Sequence, residues 1–170
     1  MLSKKYFMTS FAEIELQINK YKEQGLSLFS SSSFQTHSTV LLHLISRIDK
    51  KIPVYFLHTG FHFPETIIYK NHITELFGIN AIDLKSSTPK LMQVDEHGKF
   101  LFTSDPDYCC YLNKIQPLEP ALDSFDVWIN GVRADQNSNR ANFNMEEKTN
   151  HKAFRFHPML EWTNKMIYAY

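Results

Sequence analysis

Hydrophobic positions along this chain alternate between short solid runs and longer stretches in which they recur every three or four residues. Ser10-Phe11-Ala12-Glu13 has the form of a capping box, and Ile14, Ile18 and Tyr21 follow at helical spacing. Gly25 stands where that helix should stop. Leu26 to Ser30 then reads as a short buried strand. A polar stretch follows, Ser30 to Ser33 and Phe34-Gln35-Thr36-His37, before Val40, Leu41, Leu44 and Ile45 resume the helical period from Ser38. The order is strand, polar loop, helix.

The same order repeats. Ile52 to Leu57 predicts a buried parallel strand and His58 to Phe63 a loop. Pro64 and Glu65 suit the first turn of a helix that runs to Gly78. Ile79 to Leu84, Val127 to Ile129 and Phe154 to Phe156 are further strand candidates. Ser86 to Asp107 has turn residues and no clean period. Cys109 to Leu122 is expected to be a helix broken or bent at Pro117 and Pro120, and Trp162 to Tyr170 the start of another. Strands separated by helices predict an α/β fold with a mostly parallel sheet and flanking helices.

Composition narrows the ligand class. Lys plus Arg equals Asp plus Glu, 18 each, whereas a protein tracking a nucleic-acid backbone should be clearly basic. A small molecule or another protein is the expected partner. The N-terminus, Met1-Leu2-Ser3-Lys4-Lys5, lacks the apolar core of a signal peptide, and no apolar run is long enough to cross a bilayer. A cytoplasmic protein is expected. The chain has two cysteines, Cys109 and Cys110, too few and too close for a disulfide scaffold.

In open α/β sheets, ligands bind beyond the carboxyl ends of the strands. Three loops are expected there. Ser31, Ser32, Ser33 and Phe34 lead into a helix N-terminus, where hydroxyls and N–H groups can hold a phosphate or sulfate. A plain polar turn accounts for them equally well. Thr59-Gly60 precedes the next helix; Gly60 allows close backbone approach to a ligand, although taken alone a turn glycine is the better account. Arg133, Gln136 and Arg140 suit an anion with several oxygens, against the reading of a solvated loop of mixed charge that includes Asp135. Cys109-Cys110 is either a buried pair or two thiolate ligands for a soft metal.

Together these segments resemble the sulfonucleotide reductases, the family that reduces adenylyl sulfate or 3′-phosphoadenylyl sulfate to sulfite. Ser31-Ser32-Ser33-Phe34 resembles their phosphate-binding loop. His58-Thr59-Gly60-Phe61-His62-Phe63-Pro64-Glu65-Thr66 is similar to DTG-x-x-FPET. Cys109-Cys110, with Lys114 and Pro117-Leu118, is similar to CC-x-x-x-K-x-x-PL. Gly131 to Ala141 resembles G-x-R-x-x-Q-x-x-x-R-A, and Pro158 to Trp162 the P-x-x-x-W that follows. Five motifs stand in the family order.

The resemblance implies an adenine-nucleotide α-hydrolase-like, Rossmann-like fold. It implies that a cysteine thiolate attacks the substrate sulfur, leaving a cysteine S-sulfonate that thioredoxin or glutaredoxin resolves to sulfite in sulfate assimilation. It assigns Ser31, Ser32, Ser33, Phe34, Thr59, Gly60, Arg133, Gln136 and Arg140 to the substrate. Cys109 and Cys110 become part of a [4Fe–4S] ligand set beside Lys114, and the pair favours the adenylyl sulfate branch. His58 replaces the family Asp, and Gln35 a common Gly. The family's second C-x-x-C and its Cys-bearing tail do not occur before Tyr170. The expectation is therefore one domain over residues 1–170 that lacks the redox tail and the nucleophilic Cys, incomplete in cluster ligands and inactive alone, and able to form a homo-oligomer. A catalytically incomplete adenine-nucleotide-binding module is the alternative. An adenylating or pyrophosphatase enzyme fits poorly, because S-G-G-x-D-S is missing.

Overall fold

The computed structural model describes residues 10–170. The Met1 to Lys5 stretch, read above as lacking a signal peptide, lies outside the described residues. Six strands form one sheet: β1 (Leu28–Ser31), β2 (Val54–Leu57), β3 (Ala81–Leu84), β4 (Val127–Ile129), β5 (Glu146–Glu147) and β6 (Phe154–Phe156). Their spatial order is β3-β2-β1-β4-β6-β5. All neighbours are parallel except β5, which pairs antiparallel with β6. The expected α/β architecture is present. The chain winds outward from β1 to β3, then returns to the other side of β1 as β4. The order thus reverses between β1 and β4, where open α/β sheets form their ligand crevice.

The local signals act where they stand. In α1 (Phe11–Glu23), Ser10 Oγ accepts from the Glu13 N–H and Glu13 Oε2 accepts from the Ser10 N–H. Ile14, Ile18 and Tyr21 pack with Leu28, Val127 and Phe156 on one face of the sheet, together with Leu41, Leu44 and Ile45 of α2 (Ser38–Ile48). Leu42 of α2 joins Val54, Phe56 and Ile73 under α3 (Pro64–Phe77), which ends on left-handed Gly78. The strand alternation sends Phe29, Trp128 and Tyr55 to the opposite face. Two short helices, α4 (Leu101–Ser104) and α5 (Pro106–Cys110), precede α6 (Glu119–Ser124), whose Ala121 and Leu122 cover that face with Leu118.

The helix expected over Cys109 to Leu122 is broken at its prolines. It begins earlier, as α5, where the Asp105 side chain accepts from the Tyr108 N–H at 2.9 Å. It widens into a π turn over Tyr111–Ile115 and restarts as α6. Pro117 and Pro120 have no N–H to give to a preceding turn, so the regular ladder cannot run through them. Strand β5 had no apolar alternation to announce it; Glu146 and Glu147 are held by backbone pairing to Phe156 and Arg155. The last helix, α7, spans Asn164–Ala169. Among the described residues, no helix is long and apolar enough to cross a membrane.

Candidate functional site

The serine loop continues directly from β1. Ser32 N–H still pairs with the Tyr55 carbonyl at 3.0 Å, so the loop leaves the sheet beside β2. Ser32 Oγ accepts from the Phe34 N–H at 3.0 Å. Phe34 takes a positive φ of 53°, a costly conformation for a bulky residue. Its ring is fully buried, edge-on to Phe56 at 5.7 Å, and that burial holds the turn in place. The Phe34 side chain therefore anchors the loop from inside the core. Ser33 is exposed, and Ser31 and Ser32 are half-buried.

Thr59 and Gly60 follow β2. Thr59 Oγ1 accepts from the Phe61 N–H at 3.2 Å, and Gly60 has φ +76°. A Cβ at position 60 would meet only the Lys90 side chain, at 3.8 Å, so the backbone angle and not crowding calls for glycine. Lys90 Nζ donates to the Gly60 carbonyl at 3.2 Å and lies 4.0 Å from the centre of the Phe61 ring.

The two arginines after β4 have different settings. Arg133 is buried: its Nε donates to Asp135 Oδ1 at 2.9 Å and an Nη to Asn164 Oδ1 at 2.5 Å. The Asn164 N–H donates to Asp135 Oδ2 at 2.9 Å, so the pair ties this loop to the start of α7. Arg140 is half-buried, and its guanidinium donates to Gln136 Oε1, which also accepts from the Arg133 N–H at 3.2 Å. Because β4 lies beside β1, in register Ser30 to Ile129, the arginine and serine loops leave neighbouring strands at the same sheet edge.

Beneath the arginine loop is a buried polar group that the sequence did not announce. His157 Nδ1 and Asn130 Oδ1 are 2.6 Å apart, and Glu147 lies 3.6 Å from His157 Nε2. Burial holds the His157 pKa below its ordinary value, against the pull of the Glu147 carboxylate. Asn130 Oδ1 also accepts weakly from the Val132 N–H, at 3.4 Å.

Cys109 and Cys110 are free, half-buried thiols at the end of α5. Asn113 Nδ2 donates to the Cys109 carbonyl at 2.8 Å and approaches Cys109 Sγ at 3.6 Å. Asn113 is itself held by two side-chain bonds to buried Gln93, at 2.7 and 3.1 Å. Among the described residues, no three His, Cys, Asp or Glu side chains gather as a metal-binding group. Two thiolates alone do not make the four-ligand set of a [4Fe–4S] cluster, so no chemical step is derived through one.

Lys114 stands across from the sheet face opposite α1. With Ile115, Leu118, Leu57, Trp128 and Arg155 it lines a cleft of about 520 Å³, closed on the far side by residues 148–151. Trp128 Nε1 donates to Ser31 Oγ at 2.8 Å, which joins this cleft to the serine loop. Trp128 and Arg155 were missed in the sequence. The Phe-Arg-Phe alternation of β6 held a usable signal, a cation on the face opposite two aromatic rings.

Comparison with known proteins gives the lineage of this arrangement. Residues 27–170 match the family described as the phosphoadenosine phosphosulfate reductase domain. The chain is 36% identical over 152 residues to adenosine 5′-phosphosulfate reductase 1 of Bacillus subtilis strain 168, covering 88% of this chain and 65% of that protein. It is 31% identical over 159 residues to adenosine 5′-phosphosulfate reductase of Chelativorans sp. strain BNC1, covering 94% of this chain and 64% of the relative. The chain thus spans a little under two thirds of the length of these curated relatives. In fold it is similar to the phosphoadenylyl-sulfate reductase of Candida auris, solved as a phosphate complex, with a TM-score of 0.75 at 18% identity over 92% of this chain and 76% of that one. The U34-tRNA thiolase NcsA of Methanococcus maripaludis shares the fold less closely, with a TM-score of 0.61 at 14% identity over 93% of this chain and 61% of that one.

Proposed function

The chain belongs to the phosphoadenosine phosphosulfate reductase family, and we propose that it is the sulfonucleotide-binding part of a reductase that converts adenylyl sulfate or 3′-phosphoadenylyl sulfate to sulfite. The observation that carries this reading is the shared edge: the serine loop after β1, Thr59-Gly60 after β2 and the arginine loop after β4 leave three adjacent strands at their carboxyl ends. That is where nucleotides bind in open α/β sheets.

The roles follow from the chemistry of each group. Ser31, Ser32 and Ser33 offer hydroxyls, and the loop offers N–H groups ahead of α2, to the phosphate oxygens. Phe34 contributes by fixing the loop from the core. Thr59 and Gly60 form the opposite lip. Arg140, steadied by Gln136, supplies a charge-assisted donor to the anionic group. Arg133 acts through position, holding the loop against α7.

The reduction itself needs a thiolate. In the proposed sequence the thiolate attacks the substrate sulfur, the S–O bond to the nucleotide phosphate breaks, and adenosine monophosphate or bisphosphate leaves with the electron pair. A dithiol such as thioredoxin or glutaredoxin then attacks the cysteine sulfur of the S-sulfonate. Sulfite leaves with the S–S electron pair, and the dithiol's second thiolate then breaks the resulting mixed disulfide, freeing the enzyme cysteine and closing the dithiol's own disulfide. Cys109 and Cys110 are the two thiols of this sequence, and we assign them to metal ligation beside Lys114 in the intact enzyme. For the 170-residue polypeptide alone, the proposal is one binding domain that holds nucleotide and releases no sulfite. The reducing cytoplasm, which keeps thiols available, is its proposed compartment.

Calorimetry with adenosine monophosphate and adenylyl sulfate tests the assignment. Arg140→Ala should weaken adenylyl sulfate binding by about 1.5–3 kcal/mol. Unchanged affinity in that variant rejects the site. Adenylyl sulfate should bind at least as well as its 3′-phosphorylated form, and a clear reverse preference rejects the branch.

A further inference from the structure

The cleft between the π turn and the sheet has a charge pattern that the nucleotide loops do not explain. Arg155 lies on its floor, with the guanidinium carbon 5.1 Å from the centre of the Trp128 ring. Arg155 Nε is buried and has no hydrogen-bond partner. Lys114 lines one wall and Lys148 the other. None of these three cations has an ion-pair partner among the described residues. No Asp or Glu lines the cleft. Glu147, which faces Arg155 across the β5–β6 pairing, is turned toward His157, 3.6 Å away, and toward the Asn144 N–H at 3.2 Å. The remaining lining is Leu57, Ile115, Leu118 and Leu122 on the apolar side, with Thr149, Asn150 and His151, whose Nδ1 is 2.8 Å from Asp123 Oδ1, on the polar side.

A buried donor left without an acceptor costs stability unless something outside the chain supplies one. Three unpaired cations lining one cleft also repel one another, a repulsion that water screens at exposed Lys114 and Lys148. One anion placed among them relieves both costs. A planar guanidinium is well matched to an oxyanion that can take two of its N–H groups at once.

We propose that this cleft is an oxyanion-binding site with Arg155 as its central donor. The ligand is a sulfate- or phosphate-sized group, either a free ion or the anionic end of a nucleotide; the second source rests on the nucleotide site proposed above. Trp128 joins the two places, because it lines the cleft and donates to Ser31 of the serine loop.

The test uses the 170-residue chain, with sodium sulfate, adenylyl sulfate and adenosine as probes at constant ionic strength kept with sodium chloride. Calorimetry and tryptophan fluorescence follow binding. The parent should bind sulfate saturably. Arg155→Met and Lys148→Met should each weaken it roughly tenfold or more, the loss of one charge-assisted bond. Lys148 is exposed, so its variant keeps the test decisive should Arg155→Met fail to fold. Sulfate displaced by adenylyl sulfate but not by adenosine identifies the ligand as the nucleotide's anionic end. Sulfate bound alongside adenylyl sulfate identifies a free ion. Sulfate binding that is absent in the parent, or unchanged in both variants, overturns the proposal. If the nucleotide reading alone is wrong, adenylyl sulfate does not bind while the sulfate results stand.

Discussion

The indole Nε1 of Trp128 donates to Ser31 Oγ at 2.8 Å, a bond between residues 97 apart that fastens the start of the serine loop to the neighbouring strand. The ring also lies parallel to Phe29, with centroids 6.2 Å apart. Trp128→Phe keeps an aromatic ring there and removes the donor. It should cost about 1 kcal/mol in stability, the net worth of an ordinary hydrogen bond, and loosen the loop. Chemical denaturation and adenylyl sulfate titration of the same variant would show both effects.

The two arginines of the β4 loop should separate in experiment. Arg133→Ala strips Asp135 and Asn164 of a buried partner, and stability should fall by roughly 2–3 kcal/mol, below the full cost of breaking a buried pair because Asp135 keeps some water. Arg140→Ala should leave the melting curve nearly unchanged and act on affinity. Equal loss of stability in both variants would contradict the distinction drawn from their burial.

Acid should weaken the fold through Asp126. Its carboxylate accepts from the Ser27 hydroxyl at 2.6 Å and the Ser27 N–H at 2.8 Å and faces Lys152 at 3.0 Å, and these bonds lower its pKa to about 2. The unfolded chain takes up that proton at about pH 3.9. The stabilisation is therefore complete above about pH 4 and is lost as pH falls toward 2. Urea midpoints measured across that interval should drop more steeply in the parent than in Asp126→Asn, which has no proton to gain.

The amide pair behind the cysteines is a further point of weakness. Asn113→Ala leaves the buried Gln93 Oε1 without its donor, while Gln93 Nε2 keeps the Thr88 carbonyl, and removes the N–H directed at Cys109. Stability should fall by about 1–3 kcal/mol, and Cys109 should react faster with iodoacetamide than in the parent, with Cys110 less affected. Peptide mapping after timed alkylation distinguishes the two thiols.

Gly60→Ala tests backbone angle apart from space. The site has room for a methyl group, but φ +76° disfavours any L side chain. A loss of about 1 kcal/mol in stability is expected, read as a lowered melting temperature.

Residues close together in the chain determined much of this protein directly. Ser10 with Glu13, Pro64 and Gly78 set helix limits three to fourteen residues apart, and such signals act through bonds that form within one turn. The five motifs likewise stand in order along the sequence and identify the family. The break in the Cys109 to Leu122 helix was legible from Pro117 and Pro120, whereas its earlier start at Pro106 and the π turn over Tyr111–Ile115 were not, because a helical period does not report them. The site depended on tertiary structure. Ser30 pairs with Ile129 across 99 residues, and that strand pairing alone sets the arginine loop beside the serine loop. Burial separated Arg133 from Arg140, two residues of one type in one loop. The cleft around Arg155 came from two distant segments, residues 114–122 and 148–151, folding over one sheet face. Side-chain environment is the sum of such remote contacts, and no window along the chain contains them.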